Sequence, residues 1–154
     1  YMLLPRDLVR TAVTIKSLMD NGLPWLEQAT LAQFIRDGSY DTHLRRLRTA
    51  HEARRNALVG ALRTRLPEVR VQGADAGQHL LLRLPKSCPP AVEVQAAARG
   101  FGTGVYPLSD SPVWFHELLP GHERCLMLGY GHLAEEQIER GIDGLAQALS
   151  PSSR

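Results

Sequence analysis

The segment Glu123-Arg-Cys-Leu-Met-Leu-Gly-Tyr-Gly-His-Leu133 places one arginine before a short apolar strand, a glycine-containing turn and an amphipathic helix. Because side chains alternate between the two faces of a strand, one face is predicted to carry Cys125, Met127 and Gly129. The other face is predicted to carry Arg124, Leu126, Leu128 and Tyr130. The segment therefore predicts a strand with an arginine at its beginning and a helix after it.

Arg124 is the candidate binding residue of this segment. A guanidinium group keeps its charge at all ordinary pH values, and its fork of donors matches a carboxylate or a phosphate in a bidentate way. The alternative is that Arg124 is the exposed first residue of a strand and pairs with a nearby acid, as many surface arginines do. The residues alone leave both interpretations open.

The bulk properties are those of an ordinary soluble protein. The 154 residues are 44% hydrophobic and 22% charged, which is enough for one sizeable domain, and no apolar run approaches a membrane span. A net charge of +2 is too small to indicate nucleic-acid binding. Cys88 and Cys125 lie far apart, so neither a disulfide scaffold nor a zinc ribbon is predicted, and a reducing cytoplasm is expected.

The first third of the chain predicts three helices. Residues 1–5 have the pattern of the end of a buried strand, so we expect the chain to be a piece of a longer protein. The first helix follows Pro5 and ends at Asn21-Gly22, and the second runs from Pro24 to Asp37-Gly38. Ser39 or Asp41 caps the third, which extends to about Leu66.

One face of the third helix carries seven arginines: Arg45, Arg46, Arg48, Arg54, Arg55, Arg63 and Arg65. Such a face could bind nucleic acid, or it could be a solvated face whose arginines pair with acids. The second interpretation is favoured because no aromatic residue is interleaved with the arginines.

After Pro67 the apolar period changes to that of strands. We predict strands over 69–71 and 80–84, the second buried on both faces, then a helix that ends at Gly100. A third strand over 104–109 and a loop over 110–121 precede the Arg124 strand. The last helix carries the apolar stripe Ile138, Ile142, Leu145 and Leu149. The predicted fold class is α+β, a small sheet packed with helices.

No motif of a complete active site is present. The sequence contains no phosphate-binding glycine loop, no nucleophile elbow and no H-E-x-x-H. His116, His122 and Cys125 lie close in sequence, but their spacing fits no common zinc site, so no metal is expected. His43 and His51 are predicted to be solvated, and His79 to be a hydrogen-bonded core or edge residue.

Several motifs together resemble one family. They are the opening Tyr-Met-Leu-Leu-Pro, Phe34-Ile-Arg-Asp-Gly38, His43-Leu-Arg-Arg-Leu-Arg48, Arg54-Arg55, Ala76-Gly-Gln-His-Leu-Leu-Leu82, Val105-Tyr-Pro-Leu-Ser109 and Leu126-Met-Leu-Gly-Tyr130. This set is similar to the C-terminal part of the MocR/PdxR regulators. These are GntR-type bacterial transcription factors whose effector domain is a fold-type I aminotransferase. The resemblance covers nearly the whole chain.

The resemblance implies a domain organisation and a site. Residues 1–40 would be the end of the large domain with linking helices, and residues 41–150 the small C-terminal domain. Arg124 would match the arginine that binds the α-carboxylate of an amino-acid ligand, and the longer protein would sense a small amino acid or amine. The step from Arg124 to Gly129 agrees with the R-x-x-x-x-G spacing of aminotransferases.

The resemblance also implies what lies outside the chain. The lysine that binds pyridoxal 5'-phosphate is expected just before Tyr1, and neither Lys16 nor Lys86 has its context. We therefore expect the fragment neither to bind the cofactor covalently nor to catalyse a reaction. The longer protein is expected to be a homodimer that binds DNA through an N-terminal winged helix. The alternatives are the small domain of a true aminotransferase and a free-standing α+β binding module.

Overall fold

The computed structural model describes residues 2–20, 24–75, 77–110 and 120–150. Within these ranges the chain forms three helices, two strands, a helix, two strands and a helix, which is the predicted order. The helices are α1 (Arg6–Asp20), α2 (Trp25–Arg36), α3 (Ser39–Arg65), α4 (Ala91–Gly100) and α5 (Glu135–Leu149). The strands are β1 (Arg70–Gln72), β2 (His79–Arg83), β3 (Tyr106–Pro107) and β4 (Cys125–Gly129).

The chain divides into two compact units, residues 1–45 and 46–154, with the division inside α3. No described residue of the first unit is buried. Leu3 is 89% exposed and residues 2–5 form no strand, so the prediction of a buried opening strand was wrong for them. Leu18 of the predicted apolar stripe is 81% exposed. The predicted Asn21-Gly22 helix end lies outside the described residues.

The junction of α2 and α3 is made by Asp37 and Gly38. Gly38 has a φ of +77°, which favours glycine, and the Asp37 carboxylate accepts a hydrogen bond of 2.9 Å from the backbone N–H of Ser39. The hydrogen bonds from Ser39 lower the pKa of Asp37. Asp37, the C-cap residue of α2, thus supplies the side-chain acceptor at the start of α3, and the prediction that Ser39 or Asp41 does so was wrong.

The second unit contains one antiparallel sheet in the order β1-β2-β4-β3. In its central pair Leu82 lies opposite Leu126 and Leu80 lies opposite Leu128. These four leucines share one face and are buried. The helices α3, α4 and α5 supply the side chains that pack with them: Leu58, Leu62, Val94, Ala98, Ile138, Ile142 and Leu145. The predicted apolar stripe of α5 is confirmed.

The other face of the sheet is only partly covered. Leu81 and Met127 lie opposite each other there and are half-buried, and Tyr106 is 61% exposed. The prediction that β2 is buried on both faces was therefore wrong, because helices cover a single face. Pro107 is tolerated in β3 because this strand is at the edge of the sheet.

Arginines of α3 contact other described residues of the second unit. Arg65 forms an ion pair with Asp143 of α5, and Arg54 donates a hydrogen bond to the carbonyl oxygen of Gly131. The pairing of Arg65 agrees with the interpretation of this face as solvated and acid-paired. Among the helices of the described ranges, none is long and apolar enough to cross a membrane.

The packing of α5 against the residues after α4 depends on Gly144. A Cβ atom at this position would lie 2.4 Å from Thr103 Oγ1 and 3.1 Å from the carbonyl oxygen of Phe101. Thr103 Oγ1 itself donates to the carbonyl oxygen of Gly141, at 3.1 Å. Gly141 lies one turn earlier on the same helix, and a Cβ atom there would meet nothing within 4 Å.

These two glycines provide a matched test of the packing. We expect Gly144→Ala to lower the free energy of unfolding by about 1–3 kcal/mol, because the added methyl group overpacks the contact. Gly141→Ala should raise it by about 0.5–1 kcal/mol, because alanine is the better helix former and the space is open. Urea denaturation of both variants measures the difference. Stabilisation by Gly144→Ala would contradict the close approach.

Candidate functional site

Arg124 ends a short 3-10 turn, His122–Arg124, immediately before β4. The turn begins after Gly121, whose φ of +79° is in the left-handed region that favours glycine. Its backbone is held from two sides: Arg124 N–H donates to the Gly121 carbonyl at 3.1 Å, and the Arg124 carbonyl accepts from Leu84 N–H at 2.8 Å. The second bond continues the pairing of β2 with β4 by one residue.

The guanidinium group of Arg124 is bound to the turn between β2 and α4. Its Nη1 donates to the carbonyl oxygen of Pro85 at 3.0 Å and to that of Cys88 at 2.6 Å. A guanidinium group has five N–H donors, so Nε and Nη2 keep three, and these donate to no described residue. Arg124 is half-buried and forms no ion pair with a described acid. The protein thus orients the side chain through Nη1 and leaves its positive charge without an acidic partner among the described residues.

Arg124 opens onto a cleft of about 700 Å³. The lining residues are Glu68, Arg70, Arg83, Leu84, Pro85, Lys86, Gly121, Glu123 and Arg124. Four of these side chains are cationic and two are anionic, so the lining has an excess of two positive charges. The volume is within the range of small-molecule sites, about 300–1,000 Å³. The cleft therefore has the size and the charge to receive a small anion.

Arg83 is the second oriented guanidinium group of the cleft. Its Nη1 donates to the carbonyl oxygen of Pro120 at 3.1 Å, and a Cβ atom at Gly121 would lie 2.7 Å from the same nitrogen. Arg70 lies opposite Arg83 in the β1–β2 register. Neither arginine was predicted as a site residue. Arg70 and Arg83 lie within the predicted strands 69–71 and 80–84, and they become a pair only when the register of these strands is known.

The other candidate residues do not form a site. Within the described residues no group of three or more histidines, cysteines or acids could hold a metal ion, and His116 lies outside them. His43 and His79 are exposed. The prediction of a solvated His51 was wrong: the residue is half-buried, its Nδ1 is fully buried, and its ring contacts that of Tyr130.

The two cysteines have different environments. Cys88 is half-buried, whereas Cys125 is 1% exposed and its Sγ lies 3.5 Å from the carbonyl oxygen of Gly121. Burial raises the pKa of the Cys125 thiol above its ordinary value. The reactive form of cysteine is the thiolate, so Cys125 is unreactive in the folded chain.

The cleft does not fit pyridoxal phosphate as a resident cofactor. Sites for this cofactor combine a lysine that forms the Schiff base with a partner for the pyridine nitrogen. Lys16 lies on α1 in the first unit, and the lysine of the cleft, Lys86, is exposed. Among the described lining residues there is no aromatic ring that could stack on the cofactor. We therefore derive no catalytic step from this cleft.

Solved structures of aminotransferases share this fold. The α-aminoadipate aminotransferase LysN from Thermus thermophilus matches 96% of this chain and 36% of its own, with a TM-score of 0.77 and 24% identity. The kynurenine aminotransferase from Pyrococcus horikoshii matches 97% of this chain and 36% of its own, with a TM-score of 0.81 and 19% identity. The predicted fold, part of a fold-type I aminotransferase, is confirmed.

Curated relatives are HTH-type transcriptional regulators. YhdI of Bacillus subtilis is 32% identical to this chain over 98% of its length. YdeL of the same organism is 30% identical over 96% of the chain. A probable rhizopine catabolism regulatory protein, MocR of Rhizobium meliloti, is 33% identical over 80%. The chain spans 31% of YhdI and of YdeL and 24% of MocR. No protein-family model matches. The resemblance is confirmed: the chain is homologous to a part of MocR-like regulators.

A first prediction concerns the turn that Arg124 holds. Arg124→Ala leaves the carbonyl oxygens of Pro85 and Cys88 without this donor, so the free energy of unfolding should fall by about 1–3 kcal/mol. Glu123→Ala, at the neighbouring and more exposed position, should change it by less than about 0.5 kcal/mol. Urea denaturation measures both. Equal values for the two variants would show that the two hydrogen bonds do not stabilise the turn.

A second prediction concerns the thiols. In the folded chain iodoacetamide should modify Cys88 and leave Cys125 intact, and in urea it should modify both, which mass spectrometry detects.

Because the Cys125 pKa is raised on folding, the thiol's contribution to stability is present below its ordinary pKa of 9.0 and is lost at higher pH. Stability should therefore decline more steeply above pH 9 than in Cys125→Ala. Rapid native labelling of Cys125 would contradict its burial.

Proposed function

We propose that this chain is the C-terminal part of the effector-binding domain of a longer transcriptional regulator. The named relatives are regulators about three times as long as this chain, and the fold is part of an aminotransferase. The exposed apolar side chains of α1 and α2 support the proposal, because such surfaces normally mark an interface. Residues 1–40 would link to a large domain, and residues 41–150 would form the small domain.

The observation that carries the proposal is the orientation of Arg124. Its Nη1 is bound to two carbonyl oxygens, and the residue lines a cleft whose described side chains have excess positive charge. An oriented guanidinium fork binds a carboxylate with two parallel hydrogen bonds and at a small entropic cost. We therefore assign Arg124 to the carboxylate of a small amino-acid effector; an amine effector has no such group for it to bind.

The chain binds and orients its ligand, and it catalyses nothing by itself. Pyridoxal phosphate would be held by a lysine in the rest of the longer protein, and DNA by an N-terminal winged helix. The longer protein would act in the cytoplasm as a homodimer. The effector would shift the population between two arrangements of its domains, which requires different affinities for the two.

The test uses the longer protein and DNA from upstream of its own gene. Each of the twenty common L-amino acids and its decarboxylated amine is titrated while DNA binding is followed by fluorescence polarisation. An amino acid should change DNA affinity, and Arg124→Ala should raise the concentration needed by about 10–100-fold, equivalent to about 1.5–3 kcal/mol. Arg99→Ala, a change at an exposed arginine of α4, is the control.

Two results would contradict the proposal. Transfer of an amino group to a 2-oxo acid, without DNA binding, would assign the chain to a true aminotransferase. A response that Arg124→Ala leaves unchanged would remove Arg124 from the site.

A further inference from the structure

The cleft has more positive charge than one carboxylate requires. The proposed function uses Arg124 alone, while Arg70, Arg83 and Lys86 line the same cleft, and the acids among its described lining residues are Glu68 and Glu123. A zwitterionic amino acid with one carboxylate has no net charge and would leave the excess of two positive charges in place. The charges therefore match a ligand with a further anionic group.

Arg70 and Arg83 are directly opposite each other in an antiparallel pair. Like charges at opposite positions of a sheet destabilise it, unless an anion lies between or beside them. In the described part of the chain, neither arginine forms an ion pair, and the described partner of Arg83 is the carbonyl oxygen of Pro120. This pair is an electrostatic cost to folding that a bound anion would remove.

Gly121 lies next to the Arg83 guanidinium group, and its carbonyl oxygen accepts a hydrogen bond from the backbone N–H of Arg124. A Cβ atom at Gly121 would lie 2.7 Å from Nη1 of Arg83, so a side chain there would displace the Arg83 guanidinium group from its present position. The same glycine begins the turn that positions Arg124. Backbone carbonyl oxygens therefore orient both guanidinium groups, that of Arg83 through Pro120 and that of Arg124 through Pro85 and Cys88, and both residues line one cleft.

We propose that Arg70 and Arg83 form a second anion-binding position of the cleft, so that its ligand is a small molecule with two anionic groups. This inference rests on the proposed function, in which Arg124 binds one carboxylate. The second group, a carboxylate or a phosphate, accepts hydrogen bonds from Arg83 and is attracted by Arg70. Lys86, on the exposed side of the cleft, adds a further positive charge.

The test uses the 154-residue chain and matched probes. Succinate and butyrate have the same number of carbon atoms and differ in one carboxylate, and 3-phosphoglycerate replaces the second carboxylate by a phosphate. Binding is measured from amide chemical shifts in NMR spectra at constant ionic strength. We expect succinate or 3-phosphoglycerate to bind at least about tenfold more tightly than butyrate, and the tighter of the two identifies the second group.

The variants separate the two positions. Arg83→Gln and Arg70→Gln should each reduce the preference over butyrate to about twofold, and Arg99→Gln should leave it unchanged. Arg70 is exposed, so its replacement does not disturb the core, and circular dichroism verifies the fold. Arg124→Ala should weaken butyrate and succinate alike, since both place a carboxylate there.

Each outcome decides between the two assignments. Binding that depends on Arg124 but shows no preference for two anionic groups would overturn the second position and leave the proposed function intact. A preference that depends on Arg70 and Arg83, with no effect of Arg124→Ala, would support the second position and remove Arg124 from the site. No binding beyond that of chloride at the same ionic strength would overturn both.

Discussion

The pairing of β2 with β4 is the interaction on which the second unit depends. It joins segments more than forty residues apart and aligns Leu80 with Leu128 and Leu82 with Leu126, which form the centre of the core. One further bond, from Leu84 N–H to the Arg124 carbonyl, extends the pairing beyond the strands. That bond brings Arg124 beside the turn of Pro85 and Cys88. The core and the site therefore both depend on the register of β2 with β4. A shift of this register by one residue would disrupt the leucine pairs and the position of Arg124.

The cleft shows how backbone groups can orient a charged side chain without neutralising it. Carbonyl oxygens accept hydrogen bonds from Arg124 and Arg83, yet a carbonyl group carries no net charge. The guanidinium groups are thus restrained in position while their positive charge remains available to a ligand. An acid at the same place would have oriented them equally well and cancelled the charge. This is the physical difference between a stabilising ion pair and a binding site.

The periodicity of the sequence predicted most of the fold. The five helices, the four strands and their order follow from the spacing of apolar residues and from the prolines and glycines at which helices and strands begin or end, and α5 has its predicted apolar stripe. The incorrect predictions concern how far side chains are exposed to solvent. Leu81 is half-buried and Leu18 exposed, because a run of apolar residues does not reveal which of its faces another element covers. Of the candidate site, only Arg124 was predicted. Arg70 and Arg83 are thirteen residues apart in sequence, and only the register of β1 with β2 shows that they lie opposite each other.

The sequence by itself determined the elements, the aminotransferase-like fold that its motifs resemble, and one arginine before a strand. These features depend on local preferences and on spacing, which a linear chain contains. The tertiary structure decided which leucines form the core, that Arg124 binds two carbonyl oxygens, and that three further cations line its cleft. These depend on contacts between residues distant in sequence, such as the packing of Arg83 on Gly121, and no local pattern encodes such a distance.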